Sequence, residues 1–143
     1  MLTIRHAEPG DKDFWFTLDK HISETEFERK IRDKMGYILL LDNVPAGLLR
    51  YNLFWDNTPF CNLLYIAPAH QRMGLGEKMM LHWEKEMKAL GYDLAMVSTQ
   101  SDEYAQHFYR KIGYQDAGAL VINLSSAAQP MELFFIKPLS QDT

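Results

Sequence analysis

Apolar and polar positions alternate weakly from Met1 to Arg5, which reads as a first strand. The run EPGDKDFWFTLDKH turns at Pro9-Gly10 and enters a short helix. Ser23-Glu24-Thr25-Glu26 spells a capping box, with Ile22 and Phe27 placed for a hydrophobic staple. Phe27 and Ile31 share a face of that helix, which Gly36 ends. YILLLDNVPAGLLRYNLFW reads as two strands around an Asp42–Gly47 turn. A second turn at Asp56–Pro59 leads into FCNLLYI, a third strand. Phe60, Asn62, Leu64 and Ile66 lie on one of its faces, and Cys61, Leu63 and Tyr65 on the other.

From Gly76 onward, Met79, Met80, Trp83, Met87 and Leu90 recur at three- and four-residue spacing, predicting a helix with one buried face. DLAMVST is a short, nearly unbroken apolar strand, as expected in a sheet covered on both faces. SDEYAQHFYRKI predicts a further helix, capped by Ser101 or Asp102, with Ala105, Phe108 and Ile112 inward. GYQDAGALVINL and MELFFIKPL close as strands joined through SSAAQP, and SQDT is expected to fray. The order βααβββαβαββ implies a mixed α/β, or α+β, sheet with four helices packed on it, in a single domain over 1–143. Met35-Gly36-Tyr37, Leu90-Gly91-Tyr92 and Ile112-Gly113-Tyr114 repeat one device: a helix end, a glycine able to take positive φ, and an aromatic opening a strand.

Composition narrows the functional classes. At 143 residues, with 47% hydrophobic and 24% charged residues, the chain is globular. Its net charge of −4 argues against a nucleic-acid partner, which draws clustered Lys and Arg on a basic domain. Cys61 is the single cysteine, so there is no intrachain disulfide and no zinc site of several thiolates, and a cytoplasmic setting is expected. No run has signal-peptide or membrane-spanning length, so no membrane partner is expected. His6, His21, His70, His82 and His107 are scattered without metal spacing, and no metal is expected.

The chemistry concentrates in HQRMGLGEKMM, His70 to Met80. Two glycines at the mouth of a helix cost backbone entropy. An anionic group held by the loop's amides would offset that cost; taken alone, Gly-x-Gly fits a plain tight turn equally well. A P-loop would require Lys-Ser or Lys-Thr after its last glycine, whereas Gly76 is followed by Glu77-Lys78-Met79. The dinucleotide fingerprint would require a third glycine.

The longer string LLYIAPAHQRMGLGEKMM resembles the central motif of the GNAT superfamily of N-acetyltransferases: strand, x-Pro, then Gln/Arg-x-x-Gly-x-Gly/Ala opening a long helix. Ile66, Pro68, Gln71, Gly74 and Gly76 fill those positions. DEYAQHFYRKIGYQDAG is similar to a second motif of that family, NxxAxxLYxKxGF, through Ala105, Phe108, Tyr109, Lys111, Gly113 and Tyr114. The resemblance implies a mostly antiparallel sheet with one splayed parallel strand pair, and acetyl-CoA as cosubstrate. Its diphosphate would sit over the amides of Gln71, Arg72, Met73, Gly74, Leu75, Gly76 and Glu77, where unpaired N–H groups and the helix dipole favour negative charge. Arg72 would add a charge-assisted contact. The pantetheine arm would lie along Leu64, Tyr65 and Ile66. Asp102 stands where the family often has an asparagine that binds the arm; a carboxylate accepts hydrogen bonds but cannot donate like an amide, so Asp102 is either a cofactor contact or a helix cap.

The resemblance assigns Tyr109 the proton for the departing thiolate, and a phenol keeps that proton at neutral pH. The general base is open. The strand glutamate of some members aligns with Phe60, leaving Asp56, Glu103, or a water held by Asn62 and Ser98. The implied activity is N-acetyl transfer to a primary amine of a small molecule or protein by direct attack on the thioester. The alternative is a non-catalytic acyl-CoA-binding module. Acceptor choice falls to Phe14–Phe60, Trp55 included, and to SSAAQP. The protein is a monomer or a homodimer, the latter by pairing of the closing strands ALVINL and MELFFI.

Overall fold

A computed structural model describes residues 1–139; the tail SQDT lies outside the described residues. The elements run β1 (Leu2–His6), α1 (Lys12–Leu18), α2 (Glu24–Asp33), β2 (Gly36–Leu41), β3 (Val44–Phe54), β4 (Thr58–Ile66), α3 (Leu75–Ala89), β5 (Leu94–Gln100), α4 (Ala105–Lys111), β6 (Gln115–Leu120), β7 (Asn123–Leu124), β8 (Ala127–Ala128) and β9 (Glu132–Pro138). Seven strands belong to one mixed sheet in the order β1-β2-β3-β4-β5-β9-β6, while β7 and β8 pair separately. The mixed α/β class and the four helices agree with the hydrophobic pattern. By chain contacts the molecule divides into two compact units, Met1–Asn52 with Cys61–Glu84, and Leu53–Phe60 with the described part of Lys85–Thr143.

In the first unit, β1 runs antiparallel to β2 from Leu2↔Leu41 to His6↔Tyr37. The β2–β3 turn is tighter than its sequence suggests. Asp42 (φ 48°) and Asn43 (φ 68°) form the whole of it, and Val44 already pairs with Leu41. Two successive positive φ angles match the right-handed twist of the flanking strands, and Asn and Asp tolerate them. Gly47, expected in the turn, sits instead inside β3. A Cβ there would meet Ile66 Cδ1 at 2.6 Å and the Tyr65 carbonyl oxygen at 3.1 Å, so its lack of a side chain admits the end of β4.

The core of this unit gathers Ala7, Trp15, Phe27, Ile38, Leu40 and Leu48, with Ile22 and Ile31 against it. Trp15 meets Phe27 edge-on at 5.4 Å. Ser23 Oγ caps α2 by accepting from the Glu26 N–H at 3.1 Å, while the Glu26 carboxylate pairs with Arg29. Gly36 does not end α2 as expected. Lys34 takes the left-handed conformation (φ 56°), and Gly36 opens β2, where a Cβ would lie 3.1 Å from Trp15 Cη2. Gly91 (φ 98°) and Gly113 (φ 105°) do take the positive φ that the repeated pattern predicts.

Two buried carboxylates fix α1. Asp11 receives the Arg5 guanidinium at 2.8 and 3.0 Å and the Glu8 N–H at 2.7 Å. Burial by itself would raise its pKa, but these donors outweigh burial and hold the carboxyl below its usual value. Asp19, with no exposed surface, accepts from Trp15 Nε1 at 3.0 Å, Arg50 Nε at 2.7 Å and the His21 N–H at 3.0 Å.

In the second unit, β9 lies between β5 and β6 and is antiparallel to both. Phe135 is fully buried on β9. The predicted strand GYQDAGALVINL is cut short at Leu120, and residues 122–129 form the small β7–β8 hairpin that the sequence reading did not anticipate. Leu90, expected on the buried face of α3, falls one residue past its end and is exposed; Met79, Met80, Trp83 and Met87 are fully buried as the spacing predicts.

Candidate functional site

The glycine loop follows β4 directly. The Ala67 N–H donates to the Ala46 carbonyl at 2.8 Å, and Pro68–His70 make one 3-10 turn. Proline opens that turn without leaving an amide unpaired. The Gln71 side chain reaches back, its Nε2 donating to the Ile66 carbonyl at 2.9 Å, so it ties the loop to the strand end. Arg72 (φ 66°) and Gly74 (φ 76°) then both take left-handed conformations, which a β-branched residue strongly resists. Around Gly74 no atom comes within 4 Å of where a Cβ would stand, so the backbone faces open space.

Leu75, buried, begins the 15-residue α3 one position earlier than expected. The Lys78 N–H is the first to donate along the helix, to the Gly74 carbonyl at 3.3 Å. The amides of Leu75, Gly76 and Glu77 precede that ladder and carry the positive end of the helix dipole. Arg72 and Met73 are exposed. Chemically, this is a main-chain cradle suited to an anionic group, and Gly74 keeps it clear of side chains. On β4, Leu64 and Ile66 are half-buried and Tyr65 is exposed.

The second motif is built differently from its sequence reading. α4 starts only at Ala105, with Tyr104 at the N-cap and no capping side chain, so neither Ser101 nor Asp102 caps it. The polar groups ahead of it are committed elsewhere. The Glu103 carboxylate accepts from Thr99 Oγ1 at 3.0 Å and from the Gln100 N–H at 2.8 Å, tying the segment to the end of β5. Gln106 Nε2 donates to the Ser101 carbonyl at 2.9 Å. Asp102 is exposed. Ala105, Phe108 and Ile112, expected inward, are only half-buried; Tyr109 is the buried residue of α4. Its ring lies 5.2 Å from Phe108, 5.9 Å from Tyr114 and 6.3 Å from Phe135.

The remaining candidates separate clearly. Cys61 is buried, and burial pushes its thiol up to about 12, so it stays protonated and unreactive at neutral pH. Substituting Cys61 by Ala is expected to leave turnover within about threefold, and iodoacetamide is expected to spare the native thiol; mass spectrometry after labelling and a steady-state assay check both. Asp56 (φ 62°) stands exposed in the β3–β4 turn beside the exposed Trp55 (φ 56°). The rings of Phe54, Phe60 and Phe134 continue from Trp55 at centroid spacings of 4.7, 6.0 and 5.7 Å.

An open depression of about 550 Å³ is lined by Lys12, Asp13, Phe16, Thr17, Lys20 and Glu24. It holds none of the motif residues, and Lys12 pairs with Glu24 within it. Among the described residues no three His, Cys, Asp or Glu side chains come together as metal ligands, and no helix is long and apolar enough to cross a membrane.

Comparison with known proteins accords with this arrangement. A model of the acetyltransferase (GNAT) family matches residues 4–114. No curated protein sequence matches the chain significantly. Among solved structures, the chain is similar to ribosomal-protein-S18-alanine N-acetyltransferase from Escherichia coli, at TM-score 0.82 and 17% identity over 100% of this chain and 97% of the other. It is also similar to a GNAT family acetyltransferase from Elizabethkingia anophelis with acetyl-CoA bound, at TM-score 0.75 and 15% identity over 96% and 97%. N-acetylglutamate synthase from Neisseria gonorrhoeae, complexed with coenzyme A and N-acetyl-glutamate, gives TM-score 0.79 and 18% identity over 99% of this chain; the chain spans 36% of that protein's length. With the family model covering most of its length, the chain belongs to the acetyltransferase (GNAT) family.

Proposed function

We propose that the protein transfers the acetyl group of acetyl-CoA to a primary amine of a small molecule or a protein, in the cytoplasm, by direct attack of the amine on the thioester. The observation that carries this reading is the turn ahead of α3, where Gly74 at φ 76° leaves the leading amides of a 15-residue helix open. In this reading the amides from Arg72 to Glu77 hold the diphosphate, the Gln71 N–H expected among them being taken by the Pro68 carbonyl at 3.4 Å; Arg72 adds charge, and the main chain of Leu64, Tyr65 and Ile66 pairs with the pantetheine arm. Gln71 keeps the end of β4 in place through its bond to Ile66. As the amine nitrogen bonds to the acetyl carbon, the carbon–sulfur bond breaks and Tyr109 gives its phenolic proton to the departing thiolate. The proton lost by the amine goes to Asp56, to Glu103, whose Oε1 already accepts from Thr99 and Gln100, or to a water held by Asn62 and Ser98. The protonated Cys61 supports direct transfer over an acyl-enzyme. Asp102, exposed and outside the cap, remains a contact for the arm by acceptance alone.

A thiol-release assay with acetyl-CoA against small polyamines, amino acids and peptides tests this. Turnover with at least one amine class supports transfer; tight coenzyme A binding with no turnover on any of them indicates a binding module instead. Gly74→Val is expected to raise the acetyl-CoA Kd at least tenfold by calorimetry. A β-branched residue at positive φ costs about 1–3 kcal/mol, and the loop escapes that strain by leaving the cradle conformation.

A further inference from the structure

The β2–β3 and β3–β4 turns use one backbone device and differ in what fills it. Both set two successive residues at positive φ: Asp42 and Asn43 in the first, Trp55 (φ 56°) and Asp56 (φ 62°) in the second. The Asn57 N–H closes the second turn on the Phe54 carbonyl at 3.2 Å. Asn, Asp and Gly suit such positions, whereas a bulky residue there is an outlier that costs stability. Packing does not explain the choice. Trp55 is 79% exposed, against 0% for Trp15 and Trp83, and its ring touches Phe54 at 4.7 Å. Strain kept at an open surface points to a use. Asp56 beside it is exposed, and among the described residues no cation pairs with its carboxylate. Half-buried Phe54, Phe60 and Phe134 continue the row at 6.0 and 5.7 Å. Phe134 stands next on β9 to Phe135, on which Tyr109 packs at 6.3 Å.

We infer that Trp55 and Asp56 select the acceptor by holding a lysine or arginine side chain of an extended polypeptide, whose amine is presented at the Phe134 end of the row. This rests on the acyl-transfer reading and names its acceptor class. A carboxylate beside an open indole face suits a cation, through ion pairing and cation–π attraction together. The rings between favour a polypeptide over a small polyamine. Alternate side chains of an extended chain stand about 6.6 Å apart on one face, close to the ring spacing. Apolar side chains then lie over Phe60 and Phe54, and a basic one about four or five residues from the amine reaches Trp55. A polyamine would set its inner charged nitrogens on phenyl rings, away from Asp56. The net charge of −4 favours the approach of a basic segment. With Asp56 so engaged, the amine's proton goes to Glu103 or to the water.

Trp55 is the exposed one of three tryptophans, so acrylamide quenching of fluorescence reads this site without turnover. A peptide with a free amine, apolar residues and lysine in fifth place is expected to shield the indole. The same peptide with glutamine there is expected to bind about tenfold more weakly. In the thiol-release assay, kcat/KM is expected to favour the lysine peptide over the glutamine peptide about tenfold, and Trp55→Asn or Asp56→Asn to bring that ratio near one. Trp55→Asn, which suits a positive φ, is expected to keep or raise the urea midpoint. Equal shielding by the two peptides, a ratio unchanged in either variant, or faster turnover of a linear polyamine than of the lysine peptide overturns the inference and leaves acyl transfer standing. A midpoint lowered as for a core residue overturns it too, since the ring is then structural. No turnover of any amine overturns the acyl-transfer reading and the acceptor role with it.

Discussion

Tyr109→Phe is expected to lower kcat by about 10²–10⁴-fold, the usual contribution of a positioned general acid, while leaving the acetyl-CoA Kd within about twofold. Tyr109 is 6% exposed, and its ring packs among Phe108, Tyr114 and Phe135, contacts that phenylalanine retains. Loss of the hydroxyl costs about 1 kcal/mol in hydrogen bonding, so the fold persists and the kinetic effect reports chemistry. A purely structural role would shift the melting temperature and leave kcat near wild type. An unchanged kcat would leave protonation of the thiolate to water and take Tyr109 out of the mechanism.

The second large effect concerns stability. Asp19→Ala is expected to destabilise the protein by about 3–5 kcal/mol, because it strands a buried cation rather than removing a neutral pair. Asp19 has no exposed surface, and the Arg50 side chain is only 13% exposed, so water does not replace the lost carboxylate. Trp15 Nε1 loses its acceptor in the same step. A domain of this size is stable by about 5–15 kcal/mol, so the loss is a large share of the total. Urea unfolding measures it from the midpoint at constant slope. Asp19→Asn, which keeps an acceptor for Trp15, is expected to fall between wild type and alanine. A midpoint shift for alanine below that of an ordinary surface substitution would show that the pair contributes nothing.

What the sequence made legible was local. α3 was readable because Met79, Met80, Trp83 and Met87 obey one period over about two turns, and the turn ahead of it because Gly74 and Gly76 break the pattern where a helix starts. The misreadings fall where a distant residue decides. Gly36 and Gly47 look like turn glycines, but their roles are to admit Trp15 and Ile66, 21 and 19 residues away in the chain, and no local signal reports such contacts. The carboxylate of Asp19 found Arg50 31 residues away, which no spacing rule reaches. At α4, Ser101 and Asp102 are good caps by residue type, but the bonds of Glu103 to β5 and of Gln106 to Ser101 hold that stretch out of the helix. Leu90 shows the limit of periodicity alone: it keeps the spacing after the helix has ended.

The central claim is that the leading amides of α3 hold the diphosphate of an acyl-CoA. Isothermal titration of the intact protein with acetyl-CoA, run beside Gly74→Val, tests it most directly. The account predicts uptake of one molecule per chain with a Kd in the range of about 1–1000 μM, typical of enzyme–substrate pairs, weakened at least tenfold by the variant. Absence of binding by the folded wild type, or equal affinity in the two proteins, would contradict it.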